Sequence, residues 1–391
     1  MPTLRLCVFS FFTLCVKEEE RKISTAYTGE TMKFAIFYEI TVPRKWGPDA
    51  EARIFHEVVE QVQFAEEMGF DAFWTVEHHF LDEFSHCSAP EVLYGVIAAK
   101  TKKIRIGHGV RLLPFPYNHP CRAAEMAGTL DILCNGRMEF GTGRSATMIE
   151  MGGFGINPAD TRGMWEESLS LIPRMWKEDP FAGHEGKYFK IPPRNVIPKP
   201  IQKPHPPLWM ACSSPESHQL AGQKGLGLLS FTLALNLQEV GRRVQLYKDA
   251  IAHATPVGDF SNNQAAVFSL VHCSRTNKEA RAEAEEGVLW YNHKSFEMLG
   301  QSVPTFVQQG SGYEYYDKFN QARPEKFTFE YLDNHSMVIV GDPAHCIEKV
   351  QQYKEIGVEQ LLCLMQNYGI PHEKTMQSIR LWGEKVIPHF K

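Results

Sequence analysis

The sequence has no long run of basic residues and only a small excess of acidic ones. Its 391 residues include 41 lysines and arginines against 46 aspartates and glutamates, which gives a formal net charge of −5 at pH 7. A protein that follows a phosphate backbone needs clustered positive charge. Nucleic acid is therefore not an expected partner.

The cysteines follow no pairing pattern. There are nine of them, an odd number, and no two have the Cys-x-x-Cys spacing. This disfavours both a disulfide framework and a structural zinc site. We therefore expect no bound metal and a reducing, cytoplasmic location.

A complete dinucleotide fingerprint is also missing. Gly141-Thr142-Gly143 begins such a motif, but Ala146 and Thr147 occupy the positions where its third glycine would fall. The sequence therefore predicts no site for a nicotinamide cofactor.

Long hydrophobic runs are lacking as well. The apolar stretch at residues 6–16 is too short to cross a bilayer comfortably. Charged residues at 17–22 follow it, where a signal peptide would have small residues at a cleavage site. Because the first strand pattern begins only at Met32, we interpret residues 1–31 as an extension outside the barrel, with a secretion signal as the alternative. No membrane partner is predicted.

From Phe34 onward, short β-rich runs alternate with longer stretches of helical period. This alternation is typical of parallel strands that are joined by helices. Eight strands are predicted, over residues 34–38, 72–76, 104–113, 138–141, 208–211, 226–231, 266–273 and 360–365. Eight such units close a barrel, whereas a doubly wound sheet normally stops sooner. The predicted fold is a single (β/α)₈ TIM barrel over residues 32–391.

One stretch, residues 287–333, fits neither a strand nor a simple crossover. It is rich in aromatic residues and falls between two predicted strands. Long insertions in compact domains often cover active sites. We predict a lid here, with aromatic packing against the barrel exterior as the alternative.

Polar side chains follow the second predicted strand, in the sequence Glu77-His78-His79. The carboxyl end of a barrel strand faces the active site, and a histidine there can exchange a proton near neutral pH. Adjacent strand residues point in opposite directions, so the two histidines are poor joint metal ligands. The alternative for either histidine is a hydrogen-bonded residue without a catalytic role.

Several motifs occur in an order that resembles one known family. They are Met32-Lys33-Phe34, Glu77-His78-His79-Phe80, Leu113-Pro114, His119-Pro120-x-Arg122, Gly136-Arg137, Gly141-Thr142-Gly143-Arg144, Ala211-Cys212-Ser213-Ser214 and Gly341-Asp342-Pro343. In this order they resemble the bacterial-luciferase-like flavin-dependent monooxygenases. The resemblance runs from about residue 32 to the carboxyl terminus and is weakest across residues 287–333.

The resemblance implies a catalytic residue and two cofactor ligands. His78 matches the histidine that lies near the N5 and C4a edge of the flavin, where the family forms its C4a-hydroperoxide. Arg122 and Arg144 match arginines around the cofactor, and an arginine fork suits a phosphate dianion. The alternative for each arginine is ion pairing at the surface.

The resemblance also implies contacts from a serine-rich turn, and the position of two further residues at the barrel mouth adds contacts there. Ser213, Ser214 and Ser217 begin the helix after the fifth strand, where unpaired N–H groups and hydroxyls can bind phosphate. A simple N-cap, which would use only one of the three serines, is the alternative. Glu77 and Arg111 are predicted to contact the substrate or the flavin.

The function implied by the resemblance is that of the oxygenase in a two-component system. A partner flavin reductase would supply reduced FMN, and O₂ would oxygenate a small organic substrate of apolar or aromatic character. Family members also imply a homodimer. Three alternatives stay open: a reductase or dehydrogenase that uses the deazaflavin F420, a flavin-binding protein without turnover, and a barrel hydrolase with paired carboxylates.

Overall fold

Eight parallel strands pair in chain order and close into a barrel in the computed structural model, which describes residues 31–309, 313–317 and 326–391. Each strand pairs with the next one, and the eighth pairs with the first. The strands are β1 (Lys33–Tyr38), β2 (Ala72–Thr75), β3 (Arg105–His108), β4 (Met138–Gly143), β5 (Leu208–Ala211), β6 (Gly227–Phe231), β7 (Ala265–Cys273) and β8 (Gln360–Leu364). The predicted barrel is confirmed.

Helices surround the strands and connect them. They are α1 (Ala50–Glu67), α2 (Pro90–Lys100), α3 (Pro120–Leu133), α4 (Met148–Gly153), α5 (Thr161–Lys177), α6 (Pro215–Gln223), α7 (Leu237–Ile251), α8 (Asn277–Gln309), α9 (Phe329–Asn334), α10 (Pro343–Glu355) and α11 (His372–Leu381). Their ends follow the chemistry of the sequence. Gly69, at φ +87°, follows α1, and the Asp342 side chain caps α10 by accepting from the His345 N–H at 3.0 Å.

Two tryptophans fill the barrel interior below its mouth. The rings of Trp74 and Trp209 meet edge to face at 5.4 Å, and both are buried. A Cβ on Gly107 would overlap the ring of Trp74, and one on Gly227 would overlap that of Trp209. Bulky rings and bare glycines on neighbouring strands therefore give this layer its dense packing.

The segment predicted as a lid contains more regular structure than its sequence indicated. Helix α8 continues through Gly287 to Gln309, so the first half of the predicted insertion is helical.

A further strand, Val338–Gly341, pairs with Leu270–Cys273 at the end of β7. This strand was not predicted, because it pairs only with the last residues of β7 and no local pattern marks that contact.

Some predictions fall on residues outside the described ranges. The predicted extension, residues 1–31, lies outside them except for Thr31, and so do residues 310–312 and 318–325 of the predicted lid.

No helix in the described part of the chain is long and apolar enough to cross a membrane. The seven described cysteines are free, and the cytoplasmic location stays a prediction.

Candidate active site

A cavity of about 300 Å³ lies at the carboxyl ends of the barrel strands. Residues that follow β1, β2, β4 and β5 line its inner part, and side chains of α8 cover it. This is the end of a TIM barrel where catalytic residues are found. His78, Glu77, Arg144, Ser213, Ser214 and Ser217, all predicted from the sequence, meet in this one cavity.

His78 lies between two carboxylates that follow other strands. Its Nδ1 is 2.9 Å from Oε1 of Glu150, and its Nε2 is 3.6 Å from Oε2 of Glu39. Burial alone would lower the pKa of His78, but Glu150, Glu39 and Glu77 outweigh that effect and raise it to about 9. His78 is therefore an imidazolium at neutral pH.

Glu150 is held firmly in its ionised form. Its Oε2 accepts hydrogen bonds from Ser145 Oγ at 2.7 Å and Thr147 Oγ1 at 2.8 Å, and its Oε1 accepts from the His79 N–H at 3.1 Å. Burial would raise the pKa of Glu150, but His78 and these donors lower it. A fixed carboxylate on Nδ1 leaves Nε2 as the nitrogen of His78 that can serve the cavity.

Glu77 has a structural environment although it borders the cavity. It accepts from the Leu112 N–H at 3.0 Å and from Asn118 Nδ2 at 2.9 Å, and it lies 3.5 Å from both Arg111 and His79. Burial would raise the pKa of Glu77, but these partners lower it. Its contacts tie the end of β2 to the loop before α3.

Arg111 does not line this cavity. It is buried, and its guanidinium contacts Glu77, Glu91 at 3.0 Å and Asn118. Arg111 and Leu112 form a short strand that pairs with Thr142 and Gly143 at the end of β4. Successive residues of a strand point to opposite faces, so Leu112 lines the cavity instead. The expectation that Arg111 contacts substrate or flavin therefore finds no support in its position.

Arg122 is also remote from the cavity. Its side chain is 66% exposed and pairs with Glu125 at 3.1 Å, three residues along α3. Together with Arg111 it lines a separate pocket of about 440 Å³ between α2 and α3. Its position gives no support to a role in cofactor binding.

Two arginines give the cavity lining positive charge. Arg144 lies over the ring of Tyr313, with 4.5 Å from its guanidinium carbon to the ring centroid, and bonds Thr161 at 3.2 Å. Arg162, in the first turn of α5, lines the same cavity. Within the described residues, neither arginine has a carboxylate within ion-pair distance. Both charges are therefore available to an anionic ligand.

The serine-rich turn is partly committed to its own helix. Ser214 Oγ accepts from the Ser217 N–H at 3.2 Å, and Ser217 Oγ accepts from the Ser214 N–H at 3.0 Å. These bonds form a capping box at the start of α6. Ser214 and Ser217, two of the three serines predicted to bind phosphate, thus cap the helix, whereas the capping alternative expected only one. Phosphate binding by this turn stays a prediction.

Three polar residues of the site were not predicted from the sequence. Glu39 directly follows β1, and the strand-end rule that identified His78 would have identified it too. Glu150 is contributed by α4, 72 residues from His78, and no local pattern marks that contact. Arg162 begins a helix after β4, but its sequence resembles an ordinary helix start.

Aromatic residues of the predicted lid contact the cavity. Tyr291 of α8 and Tyr313, Tyr315 and Tyr316 line it. Several of these side chains belong to a second hydrophobic cluster, separate from the barrel core, with Met151 and Phe306 among its members.

Among residues 31–309, 313–317 and 326–391, no group of three or more His, Cys, Asp or Glu is arranged to hold a metal ion.

Comparison with known proteins gives this geometry a context. Residues 32–360 match the family model described as luciferase-like monooxygenase. The oxygenase component of the flavin-dependent trigonelline monooxygenase of Acinetobacter baylyi is 25% identical to the chain, over 92% of this chain and 96% of that protein.

Two solved structures share the fold at lower identity. One is the oxygenating constituent of 3,6-diketocamphane monooxygenase from Pseudomonas putida, in complex with FMN, with a TM-score of 0.73, 24% identity and coverage of 92% of this chain and 99% of that one. The other is an F420-dependent secondary alcohol dehydrogenase in complex with an F420–acetone adduct, with a TM-score of 0.68, 18% identity and the same coverage of both chains.

Proposed function

The chain belongs to the luciferase-like monooxygenase family, and from this premise we propose that it is the oxygenase of a two-component system. A partner reductase supplies reduced FMN, and the enzyme uses it with O₂ to oxygenate a small organic substrate of apolar or aromatic character. One observation carries the proposal: the His78–Glu150 pair borders the same cavity as Arg144 and Arg162, two arginines that have no carboxylate partner in the described part of the chain.

The donor set of the cavity fits FMN. A phosphate dianion needs compensating charge in a partly buried site, and Arg144 and Arg162 can provide it with fork-like donors. Ser213 lines the same cavity just before α6, where the helix dipole also favours an anion. We propose that these residues hold the phosphate and that His78 borders the reactive part of the ring system.

The residues of the chain supply proton transfer and exclusion of water. Reduced flavin, when bound, supplies the electrons that activate O₂. His78 carries a proton at Nε2 because Nδ1 is bonded to Glu150, so it can act as a general acid toward a group in the cavity. Tyr291 of α8 and the tyrosines that follow this helix, Tyr313, Tyr315 and Tyr316, line the cavity and keep water away from that group. We propose this covering role for the segment that was predicted as a lid.

A deazaflavin-dependent hydride transfer is the second candidate function. It is favoured by the likeness of the fold to the F420-dependent alcohol dehydrogenase and by a phosphate site that either cofactor could use. Hydride transfer does not require O₂, and the two functions therefore differ in a property that can be measured directly.

The decisive experiment compares the two cofactors. The protein is titrated anaerobically with reduced FMN and with reduced F420, and O₂ consumption is then followed. We expect binding of reduced FMN and an accelerated, protein-dependent reaction with O₂. Tight binding of F420 without binding of reduced FMN would overturn the proposal, and binding of FMN without any change in the O₂ reaction would indicate a flavin-binding protein.

We also propose that the enzyme is a homodimer. Small residues on α3, Ala123 and Ala124, would permit close packing of helices between subunits, but they are buried within the subunit and do not form the contact surface. Exposed apolar side chains on α2 and α3 support a contact there instead, namely Val92, Val96, Ile132 and Leu133. Light scattering in solution tests this, and a monomer at micromolar concentration would contradict it.

A further inference from the structure

Glu39 is a buried carboxyl group with one oxygen that lacks a hydrogen bond. Its Oε1 accepts from the Tyr291 hydroxyl at 3.1 Å, while its buried Oε2 has no hydrogen-bond partner among the described residues. That oxygen lies 3.6 Å from His78 Nε2, and the carboxyl group lines the cavity. Only 5% of the residue is exposed.

The surroundings of Glu39 are unfavourable for an isolated charge. Phe37, Phe84 and Phe268 border the same part of the cavity, and an ionised carboxylate among apolar rings is poorly solvated. The cluster also contains two carboxyl groups, Glu39 and Glu150, for one imidazolium, His78. Since Glu150 takes the Nδ1 proton, Glu39 is left to share the proton on Nε2 or to carry one of its own.

We propose that Glu39 is a positioning residue that exchanges a proton with Nε2 of His78 and so reprotonates His78 in each catalytic cycle. Glu39 is a carboxylate while His78 is an imidazolium. When His78 gives its Nε2 proton to a group in the cavity, Oε2 of Glu39 takes up a proton from solvent and passes it to Nε2, which leaves Glu39 a carboxylate again. The reprotonation step rests on the proposed function, whereas the coupling between the two side chains does not.

The charges that face His78 agree with this assignment. They are Glu150 on α4, Glu39 after β1 and Glu77 after β2, all of which raise the pKa of the imidazole. The pKa of Glu39 is also raised, in this case by burial, while His78 and the Tyr291 hydroxyl lower it. A neutral His78 takes the proton readily from Glu39, because the imidazole has the higher affinity for it.

The coupling is tested on the ligand-free protein. The pKa of His78 is measured by nitrogen-15 NMR in the wild type and in Glu39→Gln. We expect the substitution to lower that pKa by about one unit or more, since it removes an opposite charge within about 4 Å. Tyr291→Phe, which keeps the carboxyl group but leaves it less ionised, should lower it by less. Glu67→Gln, an exposed residue of α1, is the matched control and should have no effect.

Unchanged His78 titration in a folded Glu39→Gln variant would overturn the coupling. If this titration shifts but the protein fails to bind reduced FMN, the coupling stands and the proposed function fails, so the two outcomes are distinguishable. Tyr291→Phe keeps the test valid if Glu39→Gln does not fold.

The reprotonation step is tested with reduced FMN and O₂, a reaction that releases H₂O₂ without substrate. In Glu39→Gln the first turnover should keep its rate while later turnovers slow severalfold, and Glu39→Asp should restore part of the loss. In a His78→Ala background, Glu39→Gln should have no further effect. Equal slowing of first and later turnovers, or additive losses in the double variant, would contradict the assignment.

Discussion

Two groups of charged side chains that line the cavity differ in how their charges are balanced. In the first group, the imidazolium of His78 and the carboxyl groups of Glu39 and Glu150 compensate one another within the chain. In the second group, Arg144 and Arg162 have no carboxylate partner among the described residues. Under the proposed function, the first group transfers a proton and the second binds the phosphate of the cofactor.

The largest expected effect comes from removing the charge of Glu150. Glu150→Gln keeps the shape of the side chain but removes the strongest influence that raises the pKa of His78, so this pKa should fall well below its present value of about 9. Activity at pH 8 should drop by about 100-fold, the scale of a lost general acid. The pH–rate profile of wild type and variant checks both statements, and identical profiles would refute them.

The same pair makes stability depend on pH. The folded-state pKa of His78, about 9, lies above its ordinary value of 6.5. The ion pair therefore stabilises the fold fully below pH 6.5 and loses its contribution as the pH rises through 9. The stability difference between wild type and Glu150→Gln, measured by urea unfolding, should shrink over that range. A difference that grows with pH would show that the sign is wrong.

A smaller effect, a loss of affinity for reduced FMN, is expected from removing one of the two arginine side chains that line the cavity. Arg162→Ala should weaken binding of reduced FMN by about 30-fold, since a hydrogen bond to a charged group contributes about 2 kcal/mol. Arg122→Ala is the matched control, because its side chain is exposed and pairs with Glu125 outside the cavity. Equal losses in the two anaerobic titrations would remove the distinction between the two arginines.

The smallest effect sharpens the role of the serine-rich turn. Ser214→Ala removes the N-cap of α6 and should cost about 1 kcal/mol of stability. Because the hydroxyl is committed to the helix, the affinity for reduced FMN should change by less than about threefold. A larger loss of affinity at unchanged stability would show that the hydroxyl serves the cofactor instead.

The fold could be predicted from the sequence because its signal is local. The alternation of short β-rich runs and helical periods located all eight strands, and the strand-end rule located His78. The extra strand at Val338–Gly341 escaped because it pairs only with the last residues of β7, a contact that local patterns do not contain.

The site could be predicted only in part, for the same reason. Arg144 lies directly after β4, and the resemblance located it. Glu150 meets His78 only after the chain has folded back across the barrel mouth. Arg111 was predicted to contact a ligand, but its neighbour Leu112 lines the cavity, since a shift of one residue along a strand decides which side chain enters it. Which of two neighbouring side chains enters the cavity depends on the backbone at the end of the strand, and the sequence pattern does not contain that information.

The two tryptophans fill the barrel interior below the cavity. Val76 and Ala211 border the cavity, and Trp74 and Trp209 lie two residues earlier on the same strands with their side chains on the same side. Because the indole rings occupy the barrel at this level, a ligand is confined to the carboxyl ends of the strands above them.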